Sequence, residues 1–337
     1  MSTETFDAIV VGAGQAGPAI AARCSREGLR TAIIERHLFG GTCVNTGCIP
    51  TKTLVASARA IALARRGDEF GFRTGPLAVD MARVMARKDA IVQQSRGNVE
   101  KWMRGLERTE VVVGHARFSA PGTLQVGART LAAPKIFLNV GARAQRPALD
   151  GIDDVPTLNN VSILELKEIP EHLVMVGGSY IGLEFAQMYR RFGSAVTIID
   201  RNSRLIKRED HDVSDAIKEI VENEGIAVRL NAECMTMESR GAQVAVKLDC
   251  ASGDNEIVGS HLLLAAGQLR SATLGEVAQA YQIEGPAHLL GNVFFSHTTH
   301  PQAVGHVIKH CHVRPDGVRL EDHRHATFFR GDIGTLG

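Results

Sequence analysis

Two glycine-rich turns, each set between a short apolar strand and an amphipathic helix, predict an α/β chain with two Rossmann-like, three-layer (ββα) dinucleotide-binding domains in tandem. The first turn is Gly12-Ala13-Gly14-Gln15-Ala16-Gly17, entered from Phe6–Val11 and followed by a helical stretch to Glu27 that Gly28 ends. The second is Gly177-Gly178-Ser179-Tyr180-Ile181-Gly182, entered from Leu173–Val176 and followed by a helical stretch through Arg191 that Gly193 ends. An acid closes the next strand at the same distance in both: Gly12 to Glu35 and Gly177 to Asp200 are each 23 residues apart.

Composition narrows the function. The chain has 337 residues, 44% of them hydrophobic, with a formal net charge of +1. That balance gives no reason to expect a nucleic-acid or membrane surface. The apolar runs are strand-length, short of a membrane span. The opening Met1-Ser2-Thr3-Glu4-Thr5 does not read as a signal peptide, so a cytoplasmic location is expected. Of the six cysteines, Cys24, Cys234 and Cys250 read as free, buried thiols.

In the first turn, Gly12 permits the tight reversal, Gly14 lets backbone approach a pyrophosphate, and Gly17 lets helix and strand pack closely. The helix N-terminus offers free N–H groups to phosphate. Glu35 ends the strand Thr31–Ile34, placed to accept the hydroxyls of an adenosine ribose.

The stretch Gly40-Gly41-Thr42-Cys43-Val44-Asn45-Thr46-Gly47-Cys48-Ile49-Pro50-Thr51-Lys52 follows. Its two cysteines lie in a tight loop at a helix start. So short a ring removes little unfolded-state entropy, which argues for chemistry rather than bracing. A helix N-terminus is expected to lower the thiol pKa. Half a metal site is the other use of such spacing, but no second pair follows at finger spacing, and no metal site is expected.

Residues 40–52 resemble the active-site loop of class I pyridine nucleotide-disulfide oxidoreductases, the group of dihydrolipoamide dehydrogenase, glutathione reductase and mercuric reductase. The resemblance implies bound FAD and a redox-active Cys43–Cys48 disulfide. It places Cys48 nearest the flavin and makes Cys43 the outer thiol that meets substrate. It sets Lys52 beside the flavin, paired with Glu184, and adds Gly41 and Thr42 to the flavin contacts.

Residues 54–108 read mostly helical, with Trp102 and Met103 as packing residues. Strands are expected at Glu110–Val113 and Leu131–Leu138. Gly114-His115-Ala116-Arg117-Phe118 resembles the family segment whose backbone touches the FAD adenine, which brings in His115 and Ala116. Asn139-Val140-Gly141 stands where the family has Ala-Thr-Gly, so Gly141 belongs to that site and the threonine contact is missing. Pro147–Pro156 reads as a domain boundary.

In the second site, Gly177, Ser179, Tyr180, Ile181 and Gly182 form the turn, with Ser179 at the middle glycine position and its hydroxyl a donor for pyrophosphate. Asp200 favours NADH over NADPH, while Arg201 and Arg204 stand ready for a 2′-phosphate. Residues 209–224 read as helix, and strands run on to Leu264. Ala265-Ala266-Gly267 closes the domain as the family does.

Beyond Gly267 the resemblance stops. Eight of the thirteen histidines lie in 288–325, and Gly331-Asp332 only faintly matches the family's second FAD motif. The C-terminal dimerisation domain is expected to be missing, and with it the family homodimer. The expected organisation is an FAD-binding domain at 1–148, an NAD(P)-binding domain at 149–267, and an atypical His-rich tail at 268–337. A shifted reading frame is the first account of that tail. A metal-binding tail built on His297, His300, His306, His310, Cys311 and His312 is the second. A flavoprotein that passes electrons from NADH or NADPH to a small-molecule disulfide or mercuric-type metal ion is expected. The alternative is a diaphorase-only or inactive nucleotide-binding remnant, since no counterpart of the family's proton-donating partner histidine is present.

Overall fold

The computed structural model describes residues 2–232, 235–248, 256–270 and 293–295, with backbone alone at 268–270 and 293–295. The expectations for Cys234, Cys250, Cys311, the tail histidines and Gly331-Asp332 fall outside the described residues.

The first unit opens with β1 (Thr3–Thr5) and β2 (Ala8–Val11), the latter with Ala8, Ile9 and Val10 fully buried. The glycine turn leads into α1 (Ala16–Arg26), which stops where Gly28 takes φ +76° and donates to the Ser25 carbonyl at 2.9 Å. β3 (Thr31–Glu35) follows. The stretch 40–52 then makes two helix starts, α2 (Gly41–Asn45) and α3 (Cys48–Arg65). Gly40 and Gly41 reverse the chain at φ +90° and +58°, and Asn45 Nδ2 holds the turn by donating to the Phe39 and Gly41 carbonyls, both at 2.9 Å. α4 (Met81–Arg104) is capped by Asp80, whose carboxylate accepts from the Arg83 amide at 3.0 Å.

Next come β4 (Thr109–Val113), β5 (Ala116–Ala120), β6 (Thr123–Val126), β7 (Arg129–Ala132), β8 (Ile136–Leu138) and β9 (Ala142–Ala144). The single strand expected over Leu131–Leu138 is two strands in different sheets: β7 pairs with β1 and β6, β8 with β2. Pro134 between them has no N–H to continue a ladder. Of the pair read as packing residues, Met103 is fully buried but Trp102 is 48% exposed. Adjacent residues on a helix lie about 100° apart, so the core that takes Met103 cannot take its neighbour.

The second unit contains β10 (Thr157–Leu158), β11 (His172–Val176), α5 (Tyr180–Phe192), β12 (Ala195–Ile199), α6 (His211–Asn223) and β13 (Ala227–Arg229). β14 (Met235–Arg240), β15 (Gln243–Leu248), β16 (Glu256–Gly259) and β17 (His261–Leu264) complete it. β18 (Gln268–Arg270) pairs antiparallel with β9, and β19 (Val293–Phe295) pairs parallel with β8.

The two main sheets are parallel and share the order of four strands, differing in the edge strand, which is the last in chain order in one and the first in the other. One is β19-β8-β2-β3-β4, the other β10-β17-β11-β12-β13. In each, the strand before the glycine turn lies between the strand that ends at the acid and a later strand. Val11 pairs with Ile34 and Leu138, and Val176 with Ile199 and Leu264. Smaller antiparallel layers, β7-β6-β5 with β1 alongside and β14-β15-β16, cover one face of each unit.

A shared apolar core joins the units. Leu54 and Ala58 of α3, Met81 and Met85 of α4, and Phe185, Tyr189 and Phe192 of α5 belong to one buried cluster. Burying a side chain of the Leu or Phe class contributes roughly 2–3 kcal/mol. That cluster fixes α3 against α5.

Candidate functional site

The two glycine turns are built alike. Gly12 and Gly177 take φ +102° and +115°, a region closed to most side chains. A Cβ on Gly12 would sit 2.2 Å from the Asn139 carbonyl oxygen, and one on Gly177 would sit 2.5 Å from the Ala265 carbonyl oxygen. The last glycines pack helix onto strand: added Cβ atoms would lie 2.0 Å from the Gly12 oxygen at Gly17, and 2.1 Å from the Gly177 oxygen at Gly182.

Each acid is tied back to its turn. Glu35 Oε2 accepts from the Ala13 amide at 2.9 Å, and Oε1 from the His37 amide at 2.8 Å. Asp200 Oδ2 accepts from the Gly178 amide at 2.6 Å, and Oδ1 from the Asn202 amide at 2.8 Å. Asp200 Oδ1 also accepts from Asn202 Nδ2 at 2.6 Å. A carboxylate has about four lone-pair positions, so Glu35 keeps acceptor capacity for both hydroxyls of a ribose diol, and Asp200 for one. The end of β4 lies beside Glu35, where the Gly114 amide donates to the Glu35 carbonyl at 2.9 Å. His115 and Ala116 follow at once, with His115 exposed. Gly141 lies just past β8 at φ +71°. Gly267 lies at the other end of β9, opposite Gln145, its carbonyl accepting from the Gln145 amide at 2.9 Å, so it is not brought next to Gly141.

The cysteine stretch is fastened to the first turn. The Gly40 amide donates to the Ala13 carbonyl at 2.8 Å, and a Cβ on Gly41 would lie 2.7 Å from Gly14 Cα. Only backbone fits between Gly41 and Gly14, and Thr42 is exposed at the rim of this turn. Cys43 lies within α2, and Cys48 is the first residue of α3. Both are thiols here, Cys43 partly buried and Cys48 exposed. Arg96 Nε of α4 donates to Asn45 Oδ1 at 2.7 Å, clamping the turn between the two sulfurs from beneath.

The expected lowering of the thiol pKa does not hold for Cys43, which is pushed up to about 12 by burial and by hydrogen bonding to the neighbouring Cys48 side chain. The Cys48 backbone N–H pulls the other way and is outweighed. A helix of five residues offers too little dipole to offset desolvation beside a second sulfur. With both thiols reduced, alkylation of Cys43 by iodoacetamide should therefore be slow at pH 7.5 and accelerate about tenfold per pH unit up to pH 10. A rate that levels off by pH 9 contradicts the burial argument.

Lys52 Nζ of α3 pairs with Glu184 Oε1 of α5, two residues 132 apart in sequence. The lysine side chain is 63% exposed, so the pair contributes about 1 kcal/mol or less to stability. What it does is hold an ammonium one helical turn beyond Cys48.

At the rim of the second turn, Glu209, Leu205 and Ile206 join the residues read from the sequence. Ser179 caps α5 in extended conformation with its hydroxyl making no cap bond. The Tyr180 hydroxyl donates to Glu209, which raises the tyrosine pKa, and Ile181 is exposed beside it. The loop after Asp200 lies on the turn: the Ile206 amide donates to the Gly178 carbonyl at 3.0 Å, and Leu205 would meet a Cβ on Gly178 at 2.4 Å. Arg204 turns into its own loop, donating from Nη2 to the Lys207 carbonyl at 2.8 Å. Among the described residues there is no cluster of three or more groups able to hold a metal ion, and no helix is long and apolar enough to cross a membrane.

Comparison with known proteins agrees with this geometry. The pattern of the family described as pyridine nucleotide-disulphide oxidoreductase matches residues 6–284. The chain is 34% identical over 276 residues to a mercuric reductase of Streptomyces lividans, covering 80% of this chain and 58% of that protein. It is 34% identical over 270 residues to the probable pyridine nucleotide-disulfide oxidoreductase RclA of Escherichia coli K12, covering 78% and 56%. A solved structure, the Cu(II) complex of the HOCl-induced flavoprotein disulfide reductase RclA from Escherichia coli, superposes with a TM-score of 0.71 at 32% identity, covering 85% of this chain and 61% of that one. The chain thus spans little more than half the length of these relatives.

Proposed function

We propose, from the premise that this chain belongs to the pyridine nucleotide-disulphide oxidoreductase family, that it is an FAD-dependent NADH oxidoreductase whose electrons leave through Cys43 and Cys48 to a soft metal ion or a disulfide. The observation that carries this reading is the junction of Gly40-Gly41 with Ala13-Gly14, which joins the cysteine stretch to a glycine turn. FAD fits the residues present: Gly12, Gly14, Gly17 and Gly41 leave room for its pyrophosphate, Glu35 accepts its ribose hydroxyls, and His115, Ala116 and Gly141 border its adenosine and flavin ends. When bound, FAD supplies a two-electron acceptor for hydride from nicotinamide.

This chain's own residues divide the rest. Gly177, Ser179, Tyr180, Ile181 and Gly182 hold the nicotinamide nucleotide's pyrophosphate at the α5 N-terminus. Lys52, kept in place by Glu184, presents a positive charge on the flavin side of the pair. Cys48 faces the flavin and Cys43 faces the substrate. A thiol with a pKa near 12 is a poor nucleophile toward a disulfide at neutral pH. A soft metal ion binds thiolate sulfur and displaces the proton itself. The metal-ion arm is therefore favoured, in line with the relatives named as mercuric reductases and with a relative solved as a Cu(II) complex. For mercuric ion the net change is NADH plus Hg2+ giving NAD+, H+ and Hg0.

The test is an anaerobic NADH titration of the purified, FAD-loaded chain. Reduction should expose two thiols to a chromogenic disulfide reagent, and mercuric or cupric ion should then accelerate NADH oxidation more than lipoamide or glutathione disulfide does. A colourless protein that takes up no FAD overturns the reading.

NADH is assigned over NADPH because Asp200 is only 8% exposed and faces the turn, where a 2′-phosphate would meet a fixed carboxylate. Against it stand Arg201, which is exposed, and Arg204, whose Nη2 donates to the Lys207 carbonyl at 2.8 Å while its buried Nη1 has no hydrogen-bond partner among the described residues. The kcat/KM ratio of NADH to NADPH should exceed about tenfold and should fall toward unity in Asp200→Ala. A parent chain that prefers NADPH refutes the assignment.

A further inference from the structure

The two nucleotide sites differ at one paired position, and the difference has chemical content. The residue after the later flanking strand is Asn139 in the first unit and Ala265 in the second. Their backbones match: the Asn139 amide donates to the Val11 carbonyl and the Ala265 amide to the Val176 carbonyl, both at 2.8 Å. Their carbonyl oxygens crowd Gly12 and Gly177 in the same way. Their side chains do not match. Ala265 offers a methyl, whose carbon would lie 3.7 Å from a Cβ on Gly182. Asn139 places an amide over the first turn, with Nδ2 donating to the Gly12 carbonyl at 3.2 Å. The same nitrogen would lie 3.3 Å from a Cβ on Gly14 and 3.0 Å from one on Gly17.

We propose that Asn139 is a positioning residue of the first nucleotide site, and that it and Gly14 form an exchangeable pair whose counterpart in the second site is Ala265 with Ser179. The proposal rests on the reading of the first site as the FAD site. The Gly12 carbonyl and the Ala13 N–H belong to one planar peptide, so a donor fixed on the oxygen also fixes the direction of the N–H. That N–H holds Glu35 Oε2 at 2.9 Å. Asn139 therefore sets, through one peptide plane, where the ribose-binding carboxylate stands. The second site reaches its own carboxylate from the Gly178 amide without any such amide. There, the middle turn position carries a hydroxyl instead. One polar side chain stands at each turn: an amide from the residue after the flanking strand in the first, a serine on the turn itself, making no cap bond, in the second. A Cβ on Gly14 would lie 3.3 Å from the Asn139 amide nitrogen, which would have to give by a few tenths of an ångström, whereas the second site has an alanine in the place of that amide and a serine in the place of Gly14.

The test measures FAD binding by calorimetry and flavin fluorescence in the apoprotein, with NADH binding and the apoprotein melting temperature as controls. Asn139→Ala should raise the FAD Kd about threefold to tenfold, the size of one lost hydrogen bond, with the NADH Kd unchanged. Asn139→Asp should be worse, since a carboxylate faces the Gly12 carbonyl. Gly14→Ser should weaken FAD most, and adding Asn139→Ala to it should recover affinity at least tenfold, a non-additivity that a general loss of packing would not produce. An Asn139→Ala Kd within twofold of the parent, or a double variant whose losses simply multiply, overturns the pairing while leaving the FAD reading intact. A parent chain that binds no FAD overturns both.

Discussion

Cys48→Ser should cut reduction of mercuric ion, and of any disulfide, by about a thousandfold or more, while NADH-to-dye turnover stays within a few-fold of the parent. The reason is that among the described residues the only cysteine besides this pair is Cys24, buried in α1, so no second sulfur replaces Cys48 in the turn. Cys43 is then left in its five-residue helix without its sulfur partner, and burial, the largest cause of its raised pKa, is unchanged. With serine at 48 the pair can neither close a disulfide nor hold a two-coordinate soft ion. The glycine turns, Glu35 and Asp200 are untouched, so nucleotide binding and dye reduction persist. Counting thiols sharpens the test: NADH should uncover two in the oxidised parent and leave the count in Cys48→Ser unchanged. Substrate reduction in Cys48→Ser above a tenth of the parent rate would show that electrons leave by another route.

Gly12→Ala should destabilise the chain by roughly 4 kcal/mol and lower its melting midpoint by about 10 °C. Two penalties combine there. The residue takes φ +102°, and its Cβ would fall 2.2 Å from the Asn139 carbonyl oxygen. That oxygen is on backbone, held in place by β8 alongside β2, so it cannot swing away as a side-chain tip can. Gly28→Ala is the matched control. Gly28 is also at positive φ, +76°, but a Cβ there meets nothing within 4 Å. Its cost should be about 1 kcal/mol, the conformational part alone. Equal losses at both positions would mean that the contact with Asn139 contributes nothing.

Much of the candidate site is local in sequence and was legible there. A glycine turn, its helix and its acid lie within 23 residues, and the cysteines within one short loop. Backbone conformation over such lengths follows from glycine placement and apolar periodicity. The strand misread over Leu131–Leu138 shows the limit of that reasoning. Both halves are apolar, and nothing short of the assembled layers says that β7 belongs to one sheet and β8 to another. The Cys43 thiol was misjudged for a related reason. Its neighbours in sequence suggest a helix start, but its protonation follows from burial and from Cys48 packed against it.

Residue order sufficed for the fold class, the two glycine turns, the acids that end their second strands and the placing of two cysteines in one turn, because each is a short-range pattern in which backbone geometry admits few residue types. Three-dimensional packing was needed to bring Lys52 to Glu184 from opposite units, to seat Gly41 on Gly14, and to lay the Asn139 amide across the first turn. Those contacts join segments far apart in the chain. Their existence depends on how the buried faces of α3, α4 and α5 close on one core, and that closure is a property of volumes and surfaces rather than of spacing.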